Sequence, residues 1–162
     1  MNIGGISWPD VNNGTGCRVT LWISGCSHHC LGCQNSETWN PNYGRKFGEE
    51  DKNKLFELLE KPYIKGITYS GGDPLYCVDE VYDLMKEINE KFPTKDTWLY
   101  TGYTLKEIQE SENLKKVLEY TDYLVDGRFI LSERDITLPF RGSKNQNIWH
   151  KTKDGEFEIV MK

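Results

Sequence analysis

The stretch Gly25-Cys26-Ser27-His28-His29-Cys30-Leu31-Gly32-Cys33 places three thiols in the spacing CxxxCxxC. Thiolates on one short loop can converge on a soft metal centre. Three is one short of a closed tetrahedral set, and an open position is what a reactive centre needs. In a 4Fe–4S cube, three cysteines hold three irons. The fourth iron is then free to chelate a small molecule that carries an amine and a carboxylate. The competing reading is a zinc site that completes its set with Cys17, His28 or His29. Zinc patterns are dominated by two CxxC-type pairs, whereas this sequence has one triplet and no second pair. Cys17 and Cys77 stand alone and read as small buried apolar residues.

Elements must position this loop, and the pattern around it alternates strand and helix. Arg18 to Ser24 is β-branched and aromatic, with Val19, Leu21 and Ile23 on one side. Glu49 to Glu60 carries Leu55, Leu58 and Leu59 at helical spacing, and Val78 to Phe92 carries a longer apolar stripe. Gly66 to Ser70, Asp96 to Thr101 and Tyr123 to Asp126 read as further strands, with a last one over Glu156 to Met161. Thr104 with Glu107 forms a capping box, Tyr103 and Ile108 can staple it, and helical turns are expected to about Tyr120. Strands alternating with helices imply an α/β fold with a parallel sheet. A full eight-unit barrel needs about 200 residues or more, so the expectation is a partial, open β/α barrel of parallel strands. Working loops in such folds leave the C-terminal strand ends. The cysteine loop, Gly71-Gly72-Asp73-Pro74, Tyr100-Thr101-Gly102-Tyr103 and Asp126-Gly127 all follow strands, so they are expected on one rim.

Composition narrows the classes. The chain has 162 residues, 37% hydrophobic and 28% charged, which suits a single domain over 1–162 with a cluster loop at 25–39. The net charge of −5 disfavours nucleic-acid binding, which demands a basic face. No run approaches a membrane span, and Met1 to Asp10 has no leader-like pattern. A cytoplasmic location is the expectation. Five cysteines, an odd number, argue against a disulfide framework there.

Residues Cys26 to Trp39 (CSHHCLGCQNSETW) resemble the cluster loop of the anaerobic (class III) ribonucleotide reductase activating proteins, a branch of the radical S-adenosylmethionine enzymes. Ser70 to Leu75 (SGGDPL), Val125 to Phe129 (VDGRF) and Arg141 to Gln146 (RGSKNQ) resemble that family in the same order, so the likeness runs from about Gly14 to Gln146. Two departures from the broader superfamily are Gly32, where an aromatic often precedes the third cysteine, and Asp73 in place of Glu. Cys-x-Gly-Cys is usual in the activating-protein branch.

The resemblance implies a 4Fe–4S cluster on Cys26, Cys30 and Cys33, with S-adenosylmethionine bound at the open iron. Reductive cleavage then gives methionine and a 5′-deoxyadenosyl radical, which takes hydrogen from a glycine of the partner. That partner is the large subunit of the anaerobic ribonucleoside-triphosphate reductase, and the electron donor is a protein such as flavodoxin. Gly71 and Gly72 are expected to bring backbone close to S-adenosylmethionine, because glycine has no Cβ to hold it off. Gly72→Val is accordingly expected to abolish that binding and spare the cluster. Asp73, Tyr100, Thr101 and Asp126 are the other candidate contacts. Each also has a plain structural reading: a turn residue for Asp73 and Asp126, a buried strand position for Tyr100 and Thr101. Asn35 and Trp39 are expected to shape the cluster loop, and the Arg141 to Gln146 loop is expected near the open side of the barrel. Two alternatives remain: an activase for a formate-lyase-type enzyme, which extra cysteines for auxiliary clusters would support, and a non-enzymatic zinc-binding module.

Overall fold

The computed structural model describes residues 1–33 and 36–161. Eight strands form one sheet in the order β3-β1-β2-β4-β5-β6-β7-β8. They are β1 (Asn2–Asp10), β2 (Arg18–Ile23), β3 (Arg45–Lys46), β4 (Gly66–Gly71), β5 (Asp96–Tyr100), β6 (Tyr123–Asp126), β7 (Asn147–Lys151) and β8 (Phe157–Met161). The helices are α1 (Glu49–Leu59), α2 (Val78–Lys91) and α3 (Leu105–Glu110). The first and last strands in that order do not pair, so the sheet is open.

The all-parallel expectation needs correction. Only β2, β4, β5 and β6 pair in parallel. Antiparallel strands extend the sheet on both sides, β1 and β3 beyond β2, and β7 and β8 beyond β6. β1 escapes a pattern reading because Gly4, Gly5 and Pro9 interrupt it and its register with β2 shifts twice. β7 is short, with only Ile148 fully buried.

Alternation divides the parallel strands into two faces. Val19, Leu21, Ile23, Ile67, Tyr69, Leu99 and Leu124 form one core cluster with α1 and α2. Leu55, Leu58 and Leu59 come from α1, and Val81, Leu84, Met85 and Ile88 from α2. Burying each such side chain contributes about 1.5–3 kcal/mol. The other face carries Arg18, Thr20, Thr68 and Ser70 in place of hydrocarbon, beside a small cluster of Trp98, Val125 and Ile148. Arg18 is fully buried there. Its Nε donates to Thr68 Oγ1 at 2.8 Å and its Nη1 lies 2.6 Å from Asp96 Oδ1.

The capping box is present. Thr104 Oγ1 accepts from Glu107 N at 3.2 Å, and Glu107 Oε1 accepts from Thr104 N at 2.9 Å. Helical turns do reach Tyr120, but not as one helix, since α3 stops at Glu110. Ser111 is extended at ψ 118°, its hydroxyl accepts from Leu114 N, and the chain resumes as a 3₁₀ helix over Lys115–Tyr120. A serine bonding to nearby backbone competes with helix continuation in this way.

Candidate metal centre

Gly25, at φ 107°, turns the chain out of β2 into the cysteine loop. Backbone bonds hold the loop's stem on two sides. Gly25 N donates to Thr38 O at 2.7 Å and Cys26 N to Trp39 O at 3.2 Å, while Gly25 O accepts from Asp73 N at 2.8 Å. His29, at φ 48°, stacks on Trp39 with ring centroids 4.6 Å apart. Trp39 therefore shapes the loop as expected; Asn35 lies outside the described residues.

One cavity of about 150 Å³ gathers all four rim loops, the last through Gly127. Cys26, Cys30 and Cys33 line it together with Gly71, Gly72, Tyr100 and Thr101. Cys17 and Cys77 pack half-buried against the main core instead. All five thiols are free. Asp73 and Asp126 lie outside this lining. Asp126 is buried, and its carboxylate accepts from Leu105 N at 2.7 Å and Asn147 N at 3.3 Å, so it ties α3 and β7 to β6. Burial pushes its pKa up, against those hydrogen bonds.

The donor set fits a cluster. Burial pushes the Cys26 thiol up, while the backbone N–H groups of His28 and His29 aimed at it work in the other direction, toward thiolate. N–H groups directed at sulfur are a means by which proteins tune ligated thiolates. Trp39 Nε1 and Tyr100 Oη are buried without a hydrogen-bond partner, on residues that line the same cavity. Among the described residues, no three His, Cys, Asp or Glu side chains are drawn together tightly enough for a single metal ion. A cube asks for a looser arrangement, since each cysteine meets a different iron.

The glycine turn also has a structural reason. A Cβ on Gly71 (φ 119°) would lie 2.2 Å from Ile23 O. One on Gly72 would lie 2.5 Å from Gly25 O and 2.6 Å from Thr38 O. The glycines let this turn pass beneath the stem of the cysteine loop, against backbone that cannot yield.

Several residues that line the site were not among the expected S-adenosylmethionine contacts or cluster ligands. His28 lines the cavity and contacts Asp73, which lies 45 positions away. Gln146 and Phe129 also line it. The Arg141 to Gln146 stretch is a buttress. Gln146 Oε1 accepts from Gly142 N and Ser143 N, Gln146 Nε2 donates to Gly127 O, and Asn145 Nδ2 donates to Arg128 O. Four family-like segments in order were the only signal that this polar loop belongs to the site.

Residues 12–149 match the family model of a 4Fe–4S single cluster domain, which favours iron–sulfur over zinc for the triplet. Relatives extend the match to most of the chain. The chain is 40% identical over 156 residues to the anaerobic ribonucleoside-triphosphate reductase-activating protein of Enterobacteria phage T4, covering 94% of this chain and 96% of that protein. The protein of that name from Vibrio cholerae is 43% identical, over 86% of this chain and 91% of its own. The one from Escherichia coli K12 is 39% identical, over 87% and 93%. The chain thus belongs to the family of anaerobic ribonucleoside-triphosphate reductase-activating proteins.

Proposed function

We propose that this chain is an activase that cleaves S-adenosylmethionine reductively at a 4Fe–4S cluster and so generates the glycyl radical on the anaerobic ribonucleoside-triphosphate reductase. The observation that carries the reading is the convergence of Cys26, Cys30, Cys33 and the Gly71-Gly72 turn on one cavity. When bound, the reduced cluster supplies one electron to the sulfonium, whose C5′–S bond breaks to give methionine and a 5′-deoxyadenosyl radical that takes hydrogen from a glycine α-carbon. The chain's own part is to bind, orient and shield. Cys26, Cys30 and Cys33 hold iron as thiolates. Backbone of the Gly71-Gly72 turn offers carbonyls to the methionine ammonium. Tyr100 and Thr101 flank the space for the nucleoside, at the ends of strands that form one side of an open β/α barrel. Asp73 and Asp126 support this space from outside its lining, through their hydrogen bonds to the surrounding loops and elements.

The partner is the large reductase subunit, and the electron comes from a reduced carrier such as flavodoxin. We place this chain in the cytoplasm, whose reducing conditions keep thiols free for metal binding. Among the described residues, no helix is long and apolar enough to cross a membrane.

The test is anaerobic reconstitution with iron and sulfide, followed by S-adenosylmethionine and dithionite. Broad visible absorption and 5′-deoxyadenosine are expected. Cys26→Ala, Cys30→Ala and Cys33→Ala should each lose both signals, while Cys17→Ala and Cys77→Ala keep them. A colourless protein with stoichiometric zinc would overturn the reading.

A further inference from the structure

Asp73 is 2% exposed, and its carboxylate is fully engaged. Oδ1 accepts from Leu75 N at 2.9 Å, and Thr101 Oγ1 bridges to both oxygens at 2.9 Å. Oδ2 also accepts from Gly102 N at 3.0 Å and meets His28 Nε2 at 2.7 Å. A carboxylate offers about four acceptor sites. With four donors in place, none is left for the ammonium of S-adenosylmethionine. Because the carboxylate only accepts, Nε2 of His28 is the donor in that contact.

The His28 ring is held on other sides too. It meets Tyr103 edge-on, with centroids 4.6 Å apart at 76°. A Cβ on Gly102 would lie 2.5 Å from His28 Cδ2 and 2.8 Å from Nε2. The turn after β5 is therefore shaped to receive this ring. Both side chains of the pair are nearly closed to solvent, at 5% for His28 and 2% for Asp73.

We propose that His28 and Asp73 are a positioning pair that fixes the cysteine loop against the turns after β4 and β5, with Asp73 acting through His28 instead of touching S-adenosylmethionine. His28 lies between Cys26 and Cys30, so its anchor sets where those thiols sit relative to Gly71 and Gly72. Groups that orient ligands in this way are worth about 10–100-fold in affinity or activity. The inference rests on the activase reading above.

The test uses the full chain, reconstituted anaerobically, as wild type, His28→Gln, His28→Asn and Gly102→Ala. Glutamine places an amide nitrogen near the position of Nε2 and keeps the donor. Asparagine places it near Nδ1 and loses the contact. Gly102→Ala displaces the ring without changing it. Circular dichroism reports the fold, iron content the cluster, and equilibrium dialysis the S-adenosylmethionine affinity. Electron paramagnetic resonance of the reduced cluster, before and after S-adenosylmethionine, reports their mutual placement. His28→Asn and Gly102→Ala are expected to keep fold and iron. Both should lose the ligand-induced spectral change and bind S-adenosylmethionine about 10–100-fold more weakly. His28→Gln should restore most of both. If one of the two disrupted variants fails to fold, the other decides. A wild-type spectral change in His28→Asn or Gly102→Ala overturns the pair, as does equal loss in His28→Gln and His28→Asn. A wild type that holds no cluster, or does not respond to S-adenosylmethionine, overturns the activase reading instead.

Discussion

Gly72 shows how close packing of backbone can demand a glycine. Its lack of a side chain is needed because Gly25 O and Thr38 O occupy the space, 2.5 and 2.6 Å from where a Cβ would sit. Both oxygens belong to the stem of the cysteine loop, through the bond from Gly25 N to Thr38 O. Gly72→Ala is therefore expected to push that stem away and to lose iron along with S-adenosylmethionine binding, not the ligand alone. Overpacking against fixed backbone also costs about 1–3 kcal/mol of stability. Iron content per chain and equilibrium dialysis check this together: full iron with weakened ligand binding would restore the simpler view that the glycine only clears room for the ligand. The cysteine triplet was legible from spacing because its three members sit on one loop. The contact between His28 and Asp73 was not, since it joins loops after β2 and β4 and no local period links them. Asp126 was legible as a residue at a strand end, but its carboxylate faces the backbone of α3 and β7, which only the fold could reveal.

Among the elements, the parallel strands and their helices were readable because burial on the helix face enforces a clean alternation or a 3.6-residue stripe. The antiparallel additions were not, and β1 explains why. Its glycines and proline carry no β signal, so its pairing rests on partners in β2 and on the loop between them. Asp10 organises that loop. Oδ1 accepts from Asn12 N at 2.8 Å, and Oδ2 accepts from Asn13 Nδ2 and Thr20 Oγ1, each at 2.7 Å. Burial alone would raise its pKa, but those hydrogen bonds outweigh it and hold the carboxyl below the usual value of 3.8. A depressed folded-state value gives stability that is present above the unfolded pKa and lost as pH falls through the folded one. Asp10→Asn keeps the shape but sets donor against donor at Asn13. It is expected to destabilise the metal-free protein at neutral pH by about 1–2 kcal/mol. That gap should close as the pH is taken down through the folded-state value, below 3.8. Urea unfolding of both proteins at neutral and acid pH measures it. A gap that does not change with pH would mean the carboxylate's charge has no part in holding β1.

At the scale of the whole molecule, the sheet stays open, and the site sits at the C-terminal ends of its central parallel strands. The cavity beside the thiols holds about 150 Å³, well below the 300–1,000 Å³ of a typical small-molecule pocket. Under the proposed function, the nucleoside and the target glycine would therefore extend beyond this cavity. A radical released there faces water, and such chemistry needs solvent excluded. Under the proposed function, a protein substrate would supply that shielding. Docking would then deliver the glycine and complete the site in one step, as substrate-driven closure does in other enzymes. The expected result is slow 5′-deoxyadenosine formation by the reconstituted protein with dithionite alone. Adding the large reductase subunit should raise the rate, with a glycyl-radical signal growing in parallel by electron paramagnetic resonance. A fast rate that the reductase leaves unchanged would show that the open sheet shields the radical unaided. Cleavage that quickens with the reductase yet yields no glycyl radical would separate docking from hydrogen transfer, and would mean that the partner's glycine does not reach the cavity.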